Sequence, residues 1–239
     1  MAISTESTDN YLKAVFELTA VSERATTSEI SRRLNVSAAS VTGMLKKLAS
    51  ATPSLVTYEK RRGAELTATG ERRAIEVIRH HRLIETYLHE ALGYRWDEVH
   101  DEAEKLEHFI SEELEDRMAA KLGYPEYDPH GHPIPRRNGT IPPCSDVPLS
   151  QIAEGTTIQV NRVPDHDPGL LQTLTRCGVG LYGEFTVVRQ PGAQVATVLR
   201  KGNNTPFALD ADIAHRLRVK IAGNGHTEGD RAARRGEKE

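Results

Sequence analysis

Sulfur is scarce in this 239-residue chain. Its two cysteines, Cys144 and Cys177, sit in no CxxC pattern and read as reduced thiols of a cytosolic protein. No run of 18 apolar residues occurs, so no membrane-spanning helix is expected, and residues 1–20 lack the apolar stretch of a signal peptide. A cytoplasmic location is the expectation. Net charge is small too, at −3, but the sum hides an asymmetry. Residues 28–64 hold seven Lys/Arg against two acids, a balance of +5. Residues 76–130 hold six Lys/Arg against fifteen acids, a balance of −9, with six of the ten histidines. A basic segment followed by an acidic, histidine-rich one points to a polyanion partner for the first and cations for the second.

In the first part, Tyr11, Leu12, Val15, Phe16 and Leu18 form the apolar stripe of a helix capped by Ser7 or Thr8 and running to about Ala20. Thr27 is expected to cap a short helix from Ser28 to Leu34. Ser37 caps a second, from Ala38 to about Ala51, with Val41, Leu45 and Leu48 inward. Helix, three-residue turn and capped helix make a helix-turn-helix. The stretches Leu55–Glu59 and Ala64–Thr67 flank the basic tip Lys60-Arg61-Arg62-Gly63, a β-hairpin that reads as a wing. Ser37, Ala38, Ala39, Ser40, Thr42 and Gly43 would lead the second helix into DNA, with Thr27 also on that side. Small side chains let the backbone approach base edges, and Ala or Thr methyls can touch thymine methyls. Lys46, Lys47, Arg61 and Arg62 would meet phosphates. With no Arg or Gln at the helix front, shape and methyl contacts carry much of the reading. Winged helices also bind proteins; the basic balance favours DNA.

A long helix is expected from Thr69-Gly70 to Leu92, closed by Gly93, then one opened by Trp96-Asp97 that carries His100 to His108, then one from Ser111 to Leu122. Their apolar faces exceed what a hairpin covers, so dimerisation is expected here. Positions 100, 104, 107 and 108 share one helical face with two imidazoles and two carboxylates. Three acids (Glu102, Glu104, Glu107) within six residues repel one another unless a cation or solvent lies among them. Upstream, His81 and Glu85 are again four apart. Two antiparallel helices would thus present nitrogen and oxygen ligands, and no thiolate, to a divalent transition metal. The bland alternative is a solvated charged face.

Residues 124–150 are rich in Pro, Gly and His and read as a linker, in which His130 and His132 suit a solvated turn better than a metal site. Beyond it, short alternating stretches at Thr157–Val163, Phe185–Arg189, Val195–Leu199, Thr205–Leu209 and His215–Ile221, with a helix from Gly169 to Cys177, suggest a small barrel. Residues 223–239 read as a disordered tail. The fold class is α+β, mostly α. The domains expected are a DNA-binding domain over 1–73, a helical dimerisation and metal-binding domain over 74–139, a linker over 140–150 and a barrel over 151–222.

Five pieces together resemble the diphtheria-toxin-repressor family over residues 7–222: Thr8-Asp9-Asn10-Tyr11-Leu12, the winged helix-turn-helix, His81-Arg82-Leu83-Ile84-Glu85, Val99 through Glu104 with Glu107-His108, and Gly131-His132-Pro133-Ile134-Pro135. The resemblance implies a homodimeric, iron- or manganese-activated repressor of metal-uptake genes that binds double-stranded operator DNA. Its barrel would be Src-homology-like and FeoA-like, and no small organic substrate is implied. It implies an ancillary metal site at His81, Glu85 and His100, with further ligands within Asp165-His166-Asp167. It implies a regulatory site at Glu104, Glu107 and His108, completed by Asn10. The iron branch carries Cys where Glu104 stands, and Met or Asp usually stands at Asn10; Glu104 resembles the manganese branch. Carboxylate, amide and imidazole donors suit Mn2+, with Fe2+ the alternative and Co2+, Zn2+ or Cd2+ as substitutes in vitro. Lys13 stands where some manganese regulators carry a second-metal Glu, so a compact two-ion cluster is not expected.

A function of another class, a metalloenzyme with a catalytic ion on His100, Glu104 and His108, fits less well. The order is not HExxH, no nucleophile or separate general base is marked, and position 105 is Lys, so the Glu-x-x-His repeat of di-iron bundles is missing. A basic winged segment would have no role in such an enzyme.

Overall fold

The computed structural model describes residues 5–20, 22–189, 196–200 and 206–222. The described chain divides into two compact units, one within Met1–Asp128 plus Pro133–Pro143, the other within Pro129–His132 plus Cys144–Glu239.

The first unit opens with α1 (Thr5–Thr19), which buries Tyr11, Leu12 and Val15 at helical spacing. Helix α2 (Thr27–Leu34) begins one residue earlier than the sequence suggests, and its cap is Thr26, not Thr27. The reason is the residue three positions on. Thr26 has Glu29 there, which returns a carboxylate to the Thr26 N–H at 2.8 Å, whereas Thr27 would have Ile30. Asn35, in the left-handed region at φ 51°, ends α2. After the turn, Ser37 caps α3 (Ala38–Ala49), whose Val41, Leu45 and Leu48 are fully buried against Leu12, Val15 and Ile30.

Strands β1 (Val56–Glu59) and β2 (Gly63–Leu66) pair antiparallel, Val56 opposite Leu66 and Glu59 opposite Gly63, and make the expected wing. Gly63 takes φ 98°, and a Cβ there would lie 2.4 Å from the Ala25 carbonyl oxygen. That close approach lets Ala25 and Ala64 exchange two backbone hydrogen bonds, of 2.8 and 2.9 Å, which ties the wing to the loop before α2.

Helix α4 (Ala68–Leu92) starts just after Thr67, whose hydroxyl accepts from the Gly70 N–H; this cap sets the start one residue before the expected Thr69. Helix α5 is shorter than its charge pattern suggests, Val99–Leu106. Before it, Arg95 forms a fork with Asp97 and the Glu98 N–H bonds the Arg95 carbonyl, so residues 96–98 are a turn. After it, the Phe109 N–H reaches back three residues to Leu106, so Glu107 and His108 lie in a tight turn beyond the helix. Helix α6 (Glu112–Lys121) packs Met118 with Ile84, Leu88, Val99 and Ala103.

The segment read as a linker is packed. Ile134 is buried with Leu83 and Ala119, and the Arg79 and Arg82 guanidinium groups hold the Pro135 and Pro133 carbonyls, each at 2.6 Å. In the second unit His130 is fully buried, not solvated, and its carbonyl accepts from the Val163 N–H. Gly131 at φ 87° lets that backbone pass within a Cβ's space of the Asn161 carbonyl.

The second unit is a six-stranded antiparallel sheet, ordered β3-β8-β4-β5-β6-β7. Its strands are β3 (Val147–Pro148), β4 (Thr157–Arg162), β5 (Glu184–Arg189), β6 (Ala196–Arg200), β7 (Phe207–Leu209) and β8 (Arg218–Ile221). Helix α7 (Pro168–Arg176) is capped by Asp167 and buries Leu170, Leu171 and Leu174. The sequence reading missed β3 and ran the last strand too long. Asp210 caps a short helix, α8 (Ala211–Arg216), where His215 was assigned to a strand, and β8 begins only at Arg218. Thr205, Val195 and the tail 223–239 lie outside the described residues. No helix among the described residues is long and apolar enough to cross a membrane.

Two glycines give opposite predictions. A Cβ at Gly70 would lie 1.9 Å from the Leu55 carbonyl oxygen, so Gly70→Ala should cost about 1–3 kcal/mol. At Gly43, within α3, a Cβ meets nothing within 4 Å, so Gly43→Ala should stabilise by about 0.5–1 kcal/mol. Urea unfolding of the two variants checks both signs.

Candidate metal centre

Helix α4 faces α1 on one side and α5 on another. Its length positions His81 and Glu85 one turn apart, and both are buried. His100, in the first turn of α5, completes a small triangle. His81 Nε2 lies 3.0 Å from Glu85 Oε1 and 3.1 Å from His100 Nδ1, and His100 Nδ1 lies 3.2 Å from Glu85 Oε1. Adjacent donors about 2.1–2.2 Å from one octahedral ion stand about 3 Å apart, so this triangle is one face of such an octahedron.

The other ring nitrogen of His81 points the opposite way. Nδ1 lies 2.5 Å from Glu107 Oε2, so Glu107 can hold that proton and leave Nε2 free to bind an ion. Glu107 is fixed in turn by its backbone: its carbonyl is 3.1 Å from His80 Nδ1, and His80 Nε2 is 2.8 Å from Glu115 Oε2. Burial works against charge on His80, but Glu115 outweighs it and raises its pKa. Neighbouring histidines on α4 thus grip the end of α5 by side chain and by backbone. The sequence reading did not single out His80.

His108 and Asn10 both carry buried polar atoms that make no hydrogen bond. Neither ring nitrogen of His108 nor the Asn10 amide oxygen has a hydrogen bond, although all three atoms are buried. His108 Nε2 stands 3.4 Å from Glu107 Oε1 and its Nδ1 stands 3.5 Å from Asp9 Oδ2. Buried polar atoms left unpaired cost stability unless something binds them, which fits a cation site built from Glu107 and His108. Asn10 lines one cleft with Lys13, His100 and Glu104.

Lys13, which the sequence reading used to set aside a compact two-ion cluster, has a further place in the structure. It is buried, and its ammonium donates to Glu104 Oε1 at 2.7 Å and to Glu107 Oε2 at 3.0 Å. Burial works against that charge, but Glu107 and Glu104 outweigh it, and the pKa is raised. Its spacing from Asp9 and Asn10 on α1 was the one available signal. Asp9, also missed, pairs with Arg73 at 2.6 Å.

In the second unit, Asp165 Oδ1 lies 3.0 Å from His166 Nδ1, and its Oδ2 lies 3.8 Å from His132 Nδ1. Asp167 Oδ1 accepts from the Leu170 N–H as the cap of α7, and its Oδ2 accepts from Arg216.

On the DNA-facing side, Ser37, Ala38, Ala39, Ser40, Gly43, Lys46, Lys47, Arg61 and Arg62 are all exposed, and Thr42 and Thr27 are half-buried. The Thr42 hydroxyl bonds back to the Ala38 carbonyl, which turns its methyl outward from that bond. Arg62 pairs with Glu59 within the wing, so Arg61, at φ 72° on the tip, is the freer of the two for phosphate.

The His81 environment gives a pH prediction. Burial opposes an imidazolium there, yet Glu85 and then Glu107 outweigh burial and the Lys13 charge, and the pKa is pushed up to about 10. Without an ion the ring holds a proton that an ion at Nε2 must displace. Metal affinity should therefore rise with pH below that value, by about tenfold per unit, with a proton released per ion. Calorimetry in buffers of different ionisation enthalpy, from about pH 6.5 to 8.5, checks this; a flat affinity with no proton release would count His81 out as a ligand.

Comparisons with known proteins identify the family. Residues 4–64 match the iron dependent repressor N-terminal DNA binding domain, residues 67–136 the iron dependent repressor metal binding and dimerisation domain, and residues 147–221 the FeoA domain. The chain is 30% identical over 227 residues to the iron-dependent repressor IdeR of Mycobacterium tuberculosis, covering 90% of this chain and 97% of the relative. It is 30% identical over 226 residues to the diphtheria toxin repressor of Corynebacterium glutamicum, covering 90% and 96%. A solved manganese-dependent transcriptional repressor in complex with manganese matches at TM-score 0.82 and 34% identity, over 90% of this chain and 99% of that one. ScaR with bound Zn2+ matches at TM-score 0.76 and 30% identity, over 90% and 99%. With its DNA-binding, metal-binding and dimerisation, and FeoA regions all matched, this chain belongs to the iron-dependent, or diphtheria toxin, repressor family of metal-dependent DNA-binding transcriptional repressors, and is not an enzyme.

Proposed function

We propose that this protein is a manganese-activated homodimeric repressor of metal-uptake genes. The observation that carries the choice of metal is the donor set. Among the described residues, the candidate ligands His81, Glu85, His100, Glu104, Glu107, His108 and Asn10 offer only carboxylate, imidazole and amide atoms. Hard oxygen donors with imidazole suit Mn2+, and a site without sulfur gives no advantage to softer ions. The 34% identity to a repressor solved with manganese supports the same reading. Fe2+ is the second reading, favoured by the 30% identity to the iron-dependent IdeR. Raw affinity favours neither of these weak binders, so ligand type and geometry decide.

Activation follows from where the ligands sit. Asn10 is on α1, packed in the DNA-binding core, while Glu104, Glu107 and His108 are at the end of α5. An ion held by both fixes the recognition helix α3 relative to the helices that carry the dimer contact. Exposed Leu92, Leu106, Phe109 and Leu114 supply apolar surface for that contact. A dimer engages two half-sites roughly 34 Å apart only at one spacing, and a loose hinge lowers affinity by the fraction of dimers at that spacing. DNA must then tighten metal binding by the same factor.

The test is operator binding titrated with Mn2+ and, anaerobically, with Fe2+. Mn2+ should activate at free concentrations where Fe2+ does not, and the reverse order would establish the iron reading. Glu104→Ala and His108→Ala should each abolish activation while the dimer persists in sedimentation. Glu104→Cys should move the preference toward Fe2+, Co2+ or Zn2+, and an unchanged order would show that position 104 does not set it.

A further inference from the structure

Three donors, His81, Glu104 and Glu107, form a group able to hold a cation, with their nearest atoms within 4.8 Å of one another. That group already surrounds a positive charge. Lys13 Nζ lies 2.7 Å from Glu104 Oε1, 3.0 and 3.3 Å from the two oxygens of Glu107, and 3.2 Å from His81 Nδ1. The ammonium touches every member of the group. An ion bound by the same atoms would need the space between them that Nζ occupies, so the two cations exclude each other there.

We propose that the Lys13 ammonium is the resident cation of the His81–Glu104–Glu107 group, tying α1 to the end of α5 without metal. This rests on the metal-activated reading above and adds to it the means by which the chain limits its own ion count. Two features of the geometry favour a structural tether over an incidental ion pair. Lys13 is 7% exposed and the Glu107 side chain is fully buried, so neither charge has water as an alternative partner. A buried charge without a partner is strongly unfavourable, so each holds the other in place. The connection also spans 91 and 94 residues of sequence, from the DNA-binding helix to the turn after α5, which is the path the regulatory ion must also bridge. The regulatory ion remains possible on the far side of Glu107, where Oε1 faces His108 Nε2. A second ion between His81 and Glu104 does not.

Removing the ammonium should open that position. Lys13→Ala leaves three donors around an empty space, and Lys13→Glu adds a fourth. Equilibrium dialysis of the full chain against Mn2+, read by metal analysis, should give one ion more per subunit for each variant than for the native protein. In chelator, hydrogen exchange of α1 amides should be faster in Lys13→Ala than in the native chain, and saturating Mn2+ should bring the two together. Should Lys13→Ala fail to fold by circular dichroism, Lys13→Glu prepared with Mn2+ present carries the stoichiometry alone. Equal ion counts in native and variant proteins that do bind Mn2+ would overturn the resident cation and leave the manganese reading standing. Unchanged α1 exchange would overturn the tether. A native chain that binds no Mn2+ while the variants bind one would instead overturn the manganese reading and keep the resident cation. No binding by any of them would end both.

Discussion

Buried charge at the junction of α1, α4 and α5 is the constraint on which the metal-binding half of this structure depends. Glu85 and Glu107 are fully buried, and His81 and Lys13 nearly so. Carboxylates cannot be held in such a place without positive partners, since desolvation of each ion costs several kcal/mol. The fold answers with cations from two directions, Lys13 from α1 and an imidazolium at His81 from α4, and sets the His100 ring from α5 beside Glu85. An arriving divalent ion therefore enters a site already balanced by protons. It binds by displacing one, which makes the metal response a competition with the protein's own charges.

The same constraint explains why α5 stops early. A helix continued through residue 108 would carry Glu107 and His108 on along its axis. The turn closed by Phe109 instead keeps Glu107 under His81, with its carbonyl held by His80 and its carboxylate by Lys13. Three groups on two other helices, His80, His81 and Lys13, therefore depend on one helix terminus. Geometry of this kind is local in space and distant in sequence. Movement of α1 relative to α5 must break bonds between buried charges.

Much of this was legible in the chain. The four-residue spacing of His81 and Glu85, and of His100 and Glu104, is a property of helical geometry and survives intact. The helix-turn-helix and wing were legible because caps, a three-residue turn and a basic hairpin tip are local signals. The errors were also physical. Thr26 and Thr27 are equally good caps until Glu29 decides between them. His130 read as solvated because Pro and Gly flank it, yet a backbone hydrogen bond to Val163 draws it inside. Lys13 was read as a replacement for a second-metal Glu, but its ion pairs with Glu104 and Glu107 were not legible, since those partners are 91 and 94 residues away. The strand placed at His215 was a helix because Asp210 supplied a cap outside the window that suggested alternation.

The DNA-facing surface and the metal centre place opposite demands on side chains, and α1 lies between them. The leading face of α3 is small and uncharged, so it gains little from any single contact and depends on close approach of the backbone. In the homodimer proposed above, close approach on two half-sites at once would tolerate little error in the separation of the two α3 helices. A weakly reading helix therefore makes the protein more dependent on the rigidity of its frame than a helix with long, adaptable arginines would be. The buried charges around Lys13 supply part of that rigidity from within the chain. What remains for the ion, on the reading proposed above, is the part carried by Asn10 and His108, whose buried amide oxygen and ring nitrogens make no hydrogen bond.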